Sequence, residues 1–91
     1  MNVALIIVKY GPNNPAEKIK LETATENDDV VLLQNGVYWI LQDVKKYTKA
    51  NVYALRDDFL ARGYDESDSS VPLISYVQLV ELIEKHPKSI G

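Results

Sequence analysis

The side chains able to do chemistry are few, and they do not cluster along the chain. His86 is the only histidine and stands beside Pro87, with no second base or ligand near it. Cysteine is absent. That removes disulfides, thiolate metal sites and any cysteine nucleophile or persulfide carrier, because the thiolate is the reacting species in each. Ser69 and Ser70 have no base evident in the sequence around them, so a hydrolase built on them lacks its proton acceptor. Asp57, Asp58, Asp65, Glu66 and Asp68 form an acidic stretch. It lacks the spacing, the glycine and the terminal glutamate of a calcium loop, and reads as a solvated face. Gly11-Pro12-Asn13-Asn14-Pro15 has neither the Lys-Ser/Thr pair of a Walker loop nor the spaced glycines of a dinucleotide loop, so it reads as a plain turn. No residue is assigned a catalytic, cofactor-binding or metal-binding role.

What the remaining groups can do depends on the elements that position them. Val3-Ala4-Leu5-Ile6-Ile7-Val8 is a continuous β-prone run, the pattern of a strand buried on both faces. After the turn, Asn14 reads as a helix N-cap, Pro15 as the first helical residue and Glu17 as the capping-box partner, predicting a helix over 15–23. Val30 to Gln34 is a second strand. Asn35-Gly36 between apolar runs is a strong hairpin signal. Against it, Val37, Ile40, Leu41 and Val44 repeat at helical spacing, and the pattern continues to Lys46, so a helix is expected. Asn51 to Leu55 is a third strand. Arg56-Asp57-Asp58 opens a short helix that Arg62-Gly63 closes. Val71 to Ile74 is a fourth strand, with Pro72 suited to an edge or a strand start. Ser75 and Gln78 form a capping box for a last helix running to about Lys85, where Pro87 stops it.

Four strand–helix alternations predict an α/β domain over residues 1–91 with a four-stranded parallel sheet. Right-handed crossovers in sequential strand order place the first three helices on one face. Only the last helix is free to cover the other. Its apolar residues Tyr76, Val77, Leu79, Val80, Leu82 and Ile83 occupy well over half of its circumference, more than one sheet face requires. The excess predicts a second contact, with a dimer closed by a two-fold axis as the expected form.

Ligands in open parallel sheets bind beyond the carboxyl ends of the strands. Gln34, Asn35 and Arg56 fall there and could line a polar pocket for a partner or a small ligand. The plainer alternative is that Asn35 and Asp57 are helix caps and Arg56 is solvated. Tyr38 and Trp39 are candidate interface residues. With Val37, Ile40, Leu41 and Val44 on the sheet, Trp39 either faces outward to a partner or lies under a neighbouring segment.

The net charge of −3 and the scattering of ten basic residues, with only Lys45 and Lys46 adjacent, argue against direct nucleic-acid binding. The first apolar run is too short to span a bilayer and lacks the features of a signal peptide, so a cytoplasmic location without membrane contact is expected.

Asp29 to Val37, Val52 to Leu55 through Asp58, Leu60 to Gly63, Ile74 to Tyr76 and Lys85-His86-Pro87, taken in order, resemble the DsrH/TusB family. The match runs from about residue 28 to the end, and Lys9-Tyr10-Gly11 is similar to a turn in its compact, cysteine-free members. The resemblance implies a three-layer α/β/α fold of the DsrE/F/H type and a part in sulfur relay. One branch of the family serves thiolation of the tRNA wobble uridine; another accompanies intracellular sulfur oxidation. The implied partners are a second copy, or DsrE-like and DsrF-like (TusD/TusC-like) subunits that carry the active cysteine. Without a thiol of its own, this chain is expected to act by assembly. A small-ligand or enzymatic module using the strand-end polar groups is the alternative.

Overall fold

The computed structural model describes residues 4–86 and 88–90, apart from the side chain of Ile90. The start of the first apolar run at Val3 and the helix stop at Pro87 lie outside the described residues. Strands β1 (Leu5–Val8), β2 (Asp29–Leu32), β3 (Asn51–Leu55) and β4 (Leu73–Ile74) lie side by side in sequential order, all parallel. Helix α1 (Pro15–Thr23), a 3₁₀ helix (Gln34–Gln42) and helix α2 (Arg56–Ala61) make the three crossovers; α3 (Tyr76–Lys85) follows β4. The expected four-strand order is present, and a fifth strand extends it. β5 (Ser89–Ile90) returns to the far edge and pairs in parallel with β1.

That return explains where α3 sits. Three connections step across the sheet in one direction, and right-handedness puts their helices on one face. The fourth steps back, so the same handedness puts α3 on the other. Strand alternation then divides the core in two. Ile6, Val8, Val30, Leu32, Val52 and Ala54 meet Leu21 of α1, Phe59 of α2 and the 3₁₀ helix. Leu5, Val31 and Ile74 meet Leu79 on the other face, with Ile7, Leu33, Tyr53, Leu55 and Leu82 half-buried around them.

The segment after Asn35-Gly36 is helical as expected, but it is not an α-helix, and its winding reassigns two side chains. At three residues per turn, positions i and i+3 eclipse. Gly36 and Trp39 therefore share one line, Val37 and Ile40 the next, and all four are buried. Trp39 is 1% exposed and Leu41 is 48% exposed. This corrects the α-helical spacing, which turned Leu41 to the sheet and allowed Trp39 to face outward; Trp39 is core and no interface residue. Gly36 is required by contact, since a Cβ there would lie 2.1 Å from the Val8 carbonyl oxygen.

The remaining ends follow local chemistry. The Asn14 side chain accepts from the amides of Ala16 and Glu17, and Ser75 and Gln78 form the reciprocal box of α3. Gly63 ends the α2 segment with φ of +88°, a conformation other residues adopt only with strain. At the N-terminal ends of the strands, Asp28 accepts from the amides of Ala4 and Thr25. His86 Nε2 lies 2.9 Å from Asp29 Oδ2, and its Nδ1 lies 2.7 Å from the Leu82 carbonyl oxygen, fastening the end of α3 to β2.

Candidate functional site

The carboxyl ends of β1 and β2 open into a cleft of about 740 Å³, lined by the 10–15 loop on one side and by Asn35, Tyr38, Leu41 and Gln42 on the other. The start of the 10–15 loop is anchored by Glu17. The first turn of α1 carries this carboxylate back under the loop, where it is 2% exposed. Its Oε2 accepts from the amides of Lys9 at 2.8 Å and Tyr10 at 3.0 Å, and its Oε1 meets Lys20 Nζ at 2.7 Å. Lys20 also donates to the Ile7 carbonyl at 3.1 Å. Half of the expected capping box is therefore present: Asn14 caps, while Glu17 passes the cap and ties down the strand end. Burial by itself pushes the Glu17 carboxyl upward. The Lys20 ammonium and the Tyr10 and Lys9 amides outweigh it and hold the group below the ordinary carboxylate value. Trp39 adds a second tie from the other side, its indole N–H donating to the Tyr10 carbonyl at 3.0 Å.

Of the three residues expected to share a pocket, only Asn35 lines the cleft. Its Oδ1 accepts from Arg62 Nε at 3.2 Å and Nη2 at 2.9 Å, while Arg62 Nη1 donates to the Asp58 carbonyl. Gln34 sits at φ +50° and its amide donates to Asp58 Oδ2 at 2.6 Å. Arg56 is engaged elsewhere, its Nε 2.7 Å from Glu66 Oε1. Neither Asn35 nor Asp57 caps a helix: the positions before the 3₁₀ helix and α2 are Leu33 and Leu55, without side-chain caps. Neither Asn14 nor Arg62 was among the candidate site residues read from the sequence. The signal for Asn14 was its capping position; Arg62, 27 residues from Asn35, offered none.

Tyr38 is half-buried, edge-on to Tyr64 with centroids 6.4 Å apart, and Arg62 lies over its ring at 5.8 Å. Of the last helix's apolar residues, Leu79 is buried and Leu82 half-buried against the sheet, so these two serve the chain's own core. Tyr76, Val77, Val80 and Ile83 stay exposed, Tyr76 at 65% and Val77 at 69%. Among the described residues no three or more His, Asp or Glu side chains gather to hold a metal, and no helix is long and apolar enough to cross a membrane.

The family model described as DsrH like protein matches residues 14–89, most of the chain. The chain belongs to the DsrH family. Among its relatives is protein TusB of Yersinia pestis (strain Pestoides F), 30% identical over 93 aligned positions that cover 96% of this chain and 98% of that protein. Protein TusB of Yersinia pseudotuberculosis (serotype O:1b, strain IP 31758) is similar to the same degree. The solution NMR structure of protein Tm0979 from Thermotoga maritima is 52% identical, covers 97% of this chain and 99% of its own, and superposes with a TM-score of 0.77. A high-resolution NMR structure of that protein, described there as a candidate sulfur transferase, gives a TM-score of 0.73. The likeness in fold covers nearly the whole of this chain.

Proposed function

We propose that this chain is a subunit of a sulfur-relay system that acts by assembly with other subunits and carries no sulfur itself. The observation that supports this most directly is the uncovered outer side of α3 in a DsrH-family chain without cysteine. One helix lies across the second face of the sheet. Its outer residues Tyr76, Val77, Val80 and Ile83 are exposed, and Ile7, Leu33, Tyr53 and Leu55 are only half-buried beside it. A contiguous apolar patch of this kind is a place for another protein surface. A second copy packed α3 to α3 about a two-fold axis would cover it, and so would a DsrE-like or DsrF-like (TusD/TusC-like) subunit. Persulfide exchange needs an attacking thiolate, so the covalent step belongs to a partner. The relay is that of tRNA wobble-uridine 2-thiolation or of intracellular sulfur oxidation, in the cytoplasm, with no direct nucleic-acid contact by this chain.

Sedimentation of the purified chain, alone and with DsrE-like and DsrF-like subunits, tests this reading beside the Val77→Glu variant. Val77 is exposed, so the substitution spares the fold, while a carboxylate buried in an interface costs several kcal/mol. The native chain is expected to sediment as a dimer or a larger complex and the variant as a smaller species with unchanged circular dichroism. A native chain that stays monomeric at about tens of micromolar and binds neither subunit ends the proposal.

A further inference from the structure

We propose that the cleft at the ends of β1 and β2 binds a small, planar, uncharged molecule through its carbonyl oxygens, held by the side-chain N–H groups of Asn14 and Asn35. The proposal is independent of the assembly reading. It starts from the orientation of two amides. Asn14 Oδ1 accepts from the backbone N–H groups of Ala16 at 3.0 Å and Glu17 at 3.3 Å. Asn35 Oδ1 accepts from the Arg62 guanidinium at 3.2 and 2.9 Å. Backbone N–H and guanidinium groups only donate, so each contact forces the oxygen end of its amide to face it. The NH₂ ends are left over, and among the described residues neither has a partner within the chain.

Both residues line the same cleft, Asn14 from the loop that opens α1 and Asn35 from the 3₁₀ helix. The two residues with unspent donors thus stand on different elements around one cleft. Its volume of about 740 Å³ falls within the range of small-ligand pockets, roughly 300–1,000 Å³. No Asp, Glu, Lys, Arg or His is among the lining residues, so an ion of either sign finds no counter-charge there. Pro12, Tyr38 and Leu41 supply apolar wall, and Tyr64 and Arg62 hold the Tyr38 ring in place. Two lining side chains with unspent donors, a lining without charged residues and apolar wall together favour a ring with carbonyl acceptors.

The test is a ¹⁵N NMR titration that follows the side-chain amides of Asn14 and Asn35 with three planar probes. Succinimide is an uncharged ring with two carbonyls, acetate is an anionic acceptor, and guanidinium is a donor only. Succinimide is expected to shift both NH₂ pairs saturably, with a Kd on the order of 1 mM, where a fragment of that size belongs. Asn14→Asp and Asn35→Asp keep the oxygen that the fold uses and replace the donating NH₂ with a negatively charged acceptor oxygen. Each is expected to weaken succinimide by about tenfold, the worth of one hydrogen bond, without lowering the melting temperature. Aspartate variants that bind as tightly as the native chain would overturn the donor assignment. Acetate or guanidinium shifting these amides as strongly as succinimide would overturn the ligand class. Absence of any saturable shift would overturn the site.

Discussion

Glu17 carries the largest share of the site's local architecture. Removing its carboxylate leaves the Lys9 and Tyr10 amides without an acceptor and takes the ion-pair partner from Lys20. Glu17→Ala is therefore expected to cost about 3 kcal/mol in urea denaturation, the range for breaking a buried, hydrogen-bonded charge pair. The same contacts set a pH dependence. Burial raises the Glu17 and Asp28 carboxyls, and their hydrogen bonds outweigh that effect, so both lie below their ordinary values of 4.5 and 3.8 in the folded chain. Between the folded and the unfolded values, the unfolded chain binds more protons. The stability these groups contribute is thus fully present above the unfolded values and is lost as pH falls through the folded ones. Urea midpoints should be level above about pH 5 and decline below it, with a shallower decline in Glu17→Gln. A Glu17→Gln curve parallel to the native one would contradict this account.

At the scale of elements, the 3₁₀ winding of residues 34–42 makes a sharp distinction between two neighbours. Trp39 is enclosed, stacks edge-on with Tyr47 at 5.4 Å and donates to Tyr10, while Leu41 is exposed at the cleft. Trp39→Ala is expected to cost about 3–5 kcal/mol and Leu41→Ala at most about 0.5 kcal/mol by chemical denaturation. An α-helical segment would bring the two costs together. The junction of α3 and β5 makes a second prediction. His86 is held between Asp29 and the Leu82 carbonyl just before the residues that pair with β1. In His86→Ala the Leu5 amide, which donates to the Lys88 carbonyl at 3.0 Å, should exchange its hydrogen about tenfold faster or more, while β2–β3 amides keep their protection. Unchanged exchange at Leu5 would mean that β5 docks without the histidine.

The whole molecule is asymmetric in its cover. Three connections shelter one face of the sheet and a single helix shelters the other, which leaves the apolar outer side of α3 toward solvent. That asymmetry and the absence of cysteine are what the proposed assembly role rests on. Incubated with a cysteine desulfurase and radiolabelled cysteine, the chain is expected to retain no covalent label, because it offers no thiolate to accept the sulfur. Reproducible label on this chain after denaturing gel separation would refute the proposed role.

The order of elements, the parallel sequential sheet, the opposite placement of α3 and most helix boundaries were legible in the sequence. These features rest on local relations, namely the continuous apolar run at Leu5 to Val8, capping at Asn14 and Ser75, the glycine at position 63, and the fixed handedness of crossovers. What lay beyond it depends on residues far apart in the chain. The burial of Trp39 and exposure of Leu41 follow from a winding that local spacing does not distinguish, since an i, i+3 repeat suits both helix types. Asn35 was read as a pocket residue with Gln34 and Arg56 or as a cap, and instead meets Arg62, 27 residues away; Glu17 was expected to close its own cap and instead holds the end of β1. β5 has two residues, too few to show a period, and exists because the edge of β1 has amide and carbonyl groups to pair. Capping and periodicity are properties of a single segment, whereas the cleft is made where segments meet, so only the packed chain decides which of its polar groups remain free.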